Sequence, residues 1–135
     1  EVTPQARELM EATRKALEAG IAEAVPGNRI SDISNAVQKV VEAAGFSVVR
    51  DFVGHGVGRS LHEEPQVANF GKRGKGPLIL EGMTLAIEPM VNAGDWEVKI
   101  LGNGWTVITA DGSLSAHFED SVAVTKKGPV ILSAP

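Results

Sequence analysis

Histidines and carboxylates gathered in a few irregular stretches are where this chain could do chemistry. The densest stretch runs from Gly54 to Pro65 and holds Gly54, Gly56 and Gly58, His55 and His62, and the pair Glu63-Glu64. Glycines let the backbone adopt positive φ and approach a bulky or charged group closely. Neutral imidazoles are common metal ligands and proton carriers. Two further carboxylates are set in apolar runs: Glu88, after Leu85-Ala86-Ile87, and Glu119, between Phe118 and Val122-Ala123-Val124. A carboxylate buried there would be costly unless paired or bound to a metal. Strand alternation alone equally allows both to face solvent.

Neighbouring strands lie roughly 5 Å apart, so side chains from two or three strands can converge on one ion. His55, Glu88 and Glu119 together would form a mostly oxygen site suited to Mn, Fe, Co or Zn. Pro89 restrains Glu88, because a residue before proline is driven to extended geometry.

Composition narrows the alternatives. A length of 135 residues suits one domain. The net charge of −4, without a basic cluster, argues against a nucleic-acid or other phosphate-binding surface. With no cysteine, disulfides and thiolate metal sites are excluded. No apolar run approaches the roughly 20 residues of a bilayer span, and no signal-peptide pattern is present, so a cytoplasmic location is expected. The sequence starts at Glu1 rather than Met, which suggests one part of a longer parent.

The elements that must position these residues follow from periodicity. Thr3-Pro4 reads as an N-cap and a first-turn proline. Ala6, Leu9, Met10, Thr13, Leu17, Ile21 and Ala24 then predict an amphipathic helix over about 4–24, weakened slightly by Gly20 and stopped by Pro26-Gly27-Asn28. Ser31 is the expected cap of a second helix over 32–44, with Gly45 at its C-terminus. Strands follow from 46 onward: 46–52, 84–90, 105–109, the longest at 115–124, and a short last run at 130–132. The Gly/Lys-rich segment 71–76 lacks the glycine-lysine-serine/threonine ending and following helix of a phosphate loop. Helices first and neighbouring strands after predict an α+β fold, with two helices covering a mainly antiparallel sheet.

Gly54-His55-Gly56-Val57-Gly58, Leu61-His62-Glu63-Glu64-Pro65, Gly82 to Met90, the Trp105 segment and Ser115 to Ser121, in that order, resemble the type I methionine aminopeptidases. The resemblance implies a pita-bread fold: two pseudo-symmetric halves of helices over a curved sheet, with two divalent metals between them. This chain resembles the C-terminal half, as a single domain over 1–135. His55 would be the histidine metal ligand, Glu88 a metal ligand and the base for the attacking water, and Glu119 the ligand bridging both metals. His62 would hydrogen-bond the scissile carbonyl oxygen. Leu61 and Trp105 would line the pocket for the methionine side chain. The implied function is removal of the initiator methionine from nascent chains.

Leu61 stands where many members carry phenylalanine, and Asp120-Ser121 where many carry histidine-threonine. An acid after Glu119 is more like the prolidases and X-Pro aminopeptidases, the nearest enzymatic rivals. Two aspartate ligands of the family fall upstream of the matched region, and Asp51, Asp95 and Asp111 do not occupy matching positions. The chain alone is therefore expected to bind metal weakly, and fewer than two ions. It would pair with a missing N-terminal half or a second copy of itself. The non-enzymatic alternative is a self-associating half-domain without catalysis.

Overall fold

In a computed structural model, the structure describes residues 3–50, 54–56, 63–102 and 107–132. Two helices come first, α1 (Pro4–Ala22) and α2 (Ile30–Ala43). Thr3 caps α1 through its side chain, which accepts from the Ala6 N–H at 3.1 Å. The helix ends two residues before the periodicity suggested. There Glu23 and Ala24 donate to Gly20 and Ile21, tightening the last turn ahead of Pro26. Gly20 is a packing residue: a Cβ there would lie 2.9 Å from Val37 Cγ2, so the glycine sets how closely α1 approaches α2.

Helix α2 starts earlier than expected, and Ser31 lies inside it. The cap residue is Arg29, whose N–H donates to Asp32 Oδ2 at 2.8 Å. The segment 71–77 supplies the remaining partners. Pro77 and Lys75 carbonyls accept from Ile30 and Ser31, and Lys75 N–H donates to Ser31 Oγ. Gly74 N–H donates to Asp32 Oδ1. The Gly/Lys loop thus closes the exposed N-terminus of α2. At the other end, Phe46 N–H reaches Val41 O and Gly45 N–H reaches Glu42 O, a Schellman motif with Gly45 at φ 85°.

Among the described residues ten short strands follow: β1 (Ser47–Val48), β2 (Gly54–Gly56), β3 (Glu63–Val67), β4 (Thr84–Ile87), β5 (Met90–Asn92), β6 (Val98–Ile100), β7 (Val107–Thr109), β8 (Ser115–His117), β9 (Asp120–Thr125) and β10 (Gly128–Ile131). They form sheets of order β10-β9-β4-β2-β3, β1-β5-β8 and β6-β7, with antiparallel pairing throughout. The expected strand 84–90 is split at Glu88-Pro89, and 115–124 is split at Phe118-Glu119. Strand 46–52 is reduced to β1 among the described residues, with residues 51–53 outside them.

The two splits face each other. Six positions separate Thr84 from Met90, and six separate their partners Ala123 and His117. Eight separate Met90 from Val98, and eight separate His117 from Thr109. Strands β4, β5 and β6 therefore form one arm of a long hairpin and β7, β8 and β9 the other, in a single register. Both helices bury their apolar sides on this framework. Leu17, Ile21, Ile30 and Ile33 pack on Leu85, Ile87, Val122 and Val124. Leu9, Ala16, Val37 and Val41 pack on Val48 and Val91.

Candidate metal centre

Each carboxylate expected to bind metal lies at one of the facing splits. Ile87 pairs with Asp120 and Met90 with His117, so Glu88 stands opposite Glu119 and Pro89 opposite Phe118. The Phe118 N–H donates to Pro89 O at 3.2 Å, which carries the register across the gap. Proline has no N–H to give back, so regular pairing stops here for a local chemical reason. Like charges directly opposite one another on a sheet are destabilising. Two carboxylates in this relation favour a cation between them.

The surroundings of the pair are asymmetric. The Glu88 side chain is 18% exposed, and His117 Nε2 lies 3.7 Å from its Oε1. Glu119 is exposed. On its arm, the Arg14 guanidinium of α1 stacks over the neighbouring Phe118 ring at 5.0 Å, pinning that split against the helix. The Glu88 carbonyl accepts from Asn69 Nδ2 at 3.0 Å. His117 and Asn69 are the two residues near Glu88 that the sequence did not single out. His117 could have been found by alternation, two positions before Glu119; Asn69 carries no such signal.

The main chain of His55 is in β2, opposite Gln66 on one side and Ala86 on the other. Ala86 is two positions before Glu88. The side chain of His55 lies outside the described residues, as do Leu61, His62 and Trp105. Among the described residues, no three histidine or acidic side chains are gathered to hold a metal ion. Glu88 and Glu119 supply hard oxygen donors from facing arms, a donor set that fits a divalent first-row ion.

Asp95 and Asp111 serve the fold instead. Asp111 accepts from the Asp95 N–H at 2.8 Å and from Ser113 N–H at 3.0 Å, joining the two arms beyond the site. These donors, Asp95 first, push its carboxyl down to about 2.

Comparison with known proteins fits this arrangement. Residues 1–126 match the profile of metallopeptidase family M24. The chain belongs to this family. The M24 assignment agrees with curated relatives. A methionine aminopeptidase of Clostridium perfringens is 55% identical over 132 residues, covering 98% of this chain and 53% of that protein. Methionine aminopeptidase 1 of Bacillus subtilis is 53% identical over 127 residues, covering 94% and 51%. The chain thus spans about half the length of the curated relatives it matches. The solved methionine aminopeptidase of Thermotoga maritima superposes with a TM-score of 0.97 at 49% identity, covering all of this chain and 54% of that one. Prolidase from Pyrococcus furiosus shares the fold at 22% identity, with a TM-score of 0.74. The M24 chain is α+β and has the architecture of half a pita-bread fold. Metallopeptidases of this kind use divalent metal. Among the described residues, no helix is long and apolar enough to cross a membrane.

Proposed function

We propose that the chain is the C-terminal half of a methionine aminopeptidase catalytic domain, which removes the initiator methionine from nascent proteins in the cytoplasm. The observation that carries this reading is the register that sets Glu88 across from Glu119 at two facing splits of one hairpin. Relatives near 50% identity that bear the name methionine aminopeptidase support the same substrate class. The prolidase likeness is a likeness of fold, so Asp120 alone does not favour a proline-specific reaction.

In this reading His55, Glu88 and Glu119 hold metal, and two aspartates from an upstream half complete a site for two ions of Mn, Fe, Co or Zn. Bound metal supplies an acidified water and a polarised carbonyl. Glu88 takes the proton of the attacking water. His62 donates a hydrogen bond to the carbonyl oxygen as negative charge grows there, a contribution made only in the transition state. Leu61 and Trp105 enclose the methionine side chain. The partners are the N-terminus of a nascent chain and the complementary half, for which a second copy of this chain is the substitute. Without either, this chain holds fewer metals and turns over little substrate.

Hydrolysis of a Met-Ala-Ser peptide with Mn, Fe(II) or Co supplied, beside a Glu119→Ala control, tests the reading. The expected result is little turnover by the chain alone and metal-dependent turnover once the complementary half is added, lost in the control. Turnover that survives Glu119→Ala, or cleavage confined to X-Pro peptides, would overturn it.

A further inference from the structure

The helix layer carries a cleft lined by none of the metal-centre residues. It lies between the first half of α1 and the C-terminal end of α2, and its volume is about 410 Å³. Clefts of about 300–1,000 Å³ are the usual size for small ligands. We propose that this cleft binds a small aliphatic ammonium ion, one positive charge on a short hydrocarbon chain.

The space is open because the side chains meeting in it are short. Glu8, Glu11, Ala12 and Lys15 recur at three- and four-residue spacing, so they share one face of α1. Ala12 from this face and Ala43 from the last turn of α2 both line the cleft, and neither side chain is long enough to fill it. Val40 and Phe46, half-buried against the core, complete an apolar floor. Hydrocarbon laid on this floor leaves water, which stabilises the bound state about 4-fold in affinity for each methylene buried.

The preference for positive charge has two sources. Glu11 is answered by Lys15, whose Nζ lies 3.1 Å from its Oε1. Glu8 lines the same cleft and has no ion-pair partner among the described residues. Helix α2 ends at the cleft with no basic residue in its last turn. The partial negative charge of that helix end is therefore left without a side-chain cation. A carboxylate and a helix C-terminus together favour a cation. The apolar floor selects one that carries hydrocarbon over a hydrated metal ion.

Backbone amide resonances of the 135-residue chain, followed as n-hexylammonium chloride is added at neutral pH, test this. Saturable shifts are expected at Ala12, Ala43 and Phe46. n-Butylammonium, two methylenes shorter, should bind about 10–20-fold more weakly. Uncharged n-hexanol should bind about 2–5-fold more weakly, and n-hexanoate more weakly still. Glu8→Gln should weaken n-hexylammonium about 2–5-fold, and Lys15→Gln, which releases Glu11, should strengthen it by a similar factor. Glu81→Gln, at an exposed acid that does not line the cleft, should bind as wild type. Ala43→Leu fills the cleft from an exposed helix position and should abolish binding. Unchanged binding in folded Ala43→Leu would put the ligand elsewhere and overturn the site. Hexanoate or hexanol binding as tightly as hexylammonium, or wild-type affinity in Glu8→Gln, would overturn the choice of a cation. Both Glu8→Gln and Lys15→Gln change surface side chains alone, so they decide the matter even if Ala43→Leu does not fold.

Discussion

Asp32 and Glu88 both stand at irregular ends of secondary structure, and the fold holds them in opposite ways. Asp32, in the first turn of α2, is gripped by its carboxylate. That group accepts from Arg29 N–H and Gly74 N–H, and Arg73 Nε lies 3.7 Å away. The backbone donors, Arg29 first, hold its carboxyl below the usual range. Glu88 accepts from Asn69 Nδ2 at its main-chain carbonyl, and the register sets its position across the hairpin from a second acid, Glu119. One negative charge completes local structure. The other lies beside an imidazole, His117 Nε2 being 3.7 Å from its Oε1.

The largest effect that could break this contrast is in the helix layer. Asp32→Ala should lower stability by about 1–3 kcal/mol, because Arg29 and Gly74 lose the acceptor for their N–H groups. Urea unfolding measures it, and a loss of only a few tenths would mean the carboxylate is not structural. Mn(II) affinity should not change. Acid sharpens the contrast next. The carboxyls of Asp32 and Asp111 are depressed in the folded chain, so they stabilise it above their unfolded value, about 3.9. That contribution is lost as pH falls through the folded values, about 2 for Asp111. Amide exchange at Gly74 and Asp95 should accelerate between about pH 4 and 2, ahead of exchange in β4 and β9. Uniform acceleration across the chain would show that neither cap titrates on its own. The smallest effect is at the site. Metal-free Glu88→Gln should be about 0.2–1 kcal/mol more stable than wild type, since it removes a like-charge pair. A loss of that size would instead make Glu88 a structural acid.

Local signals in the sequence were enough for the helices. Thr3-Pro4 and Gly45 mark ends through backbone chemistry that needs no distant partner. Ser31 misled because its true role depends on Lys75, far along the chain. The same distance hid the purpose of the Gly/Lys loop. Strands β3 and β6 escaped notice; β3 runs through Pro65 and β6 spans three residues, too few for alternation to show. The candidate site residues come from motif and resemblance, and Leu61, His62 and Trp105 lie outside the described residues. What sequence could not supply was pairing: nothing local says that Glu88 faces Glu119, that His117 nears Glu88, or that Asn69 reaches its carbonyl.

The unbroken register of the long hairpin has a consequence for how the molecule reaches its final form. Once the strand pair β6-β7 closes near the tip, each further pair forms between residues already brought together, with little added loop-closure entropy. Folding can then run like a zip from Ile100 and Val107 toward Thr84 and Ala123. The same arrangement makes each arm a measure of length. A single residue inserted between Asn92 and Val98 would have to be absorbed as a bulge, or it would slide one acid past the other.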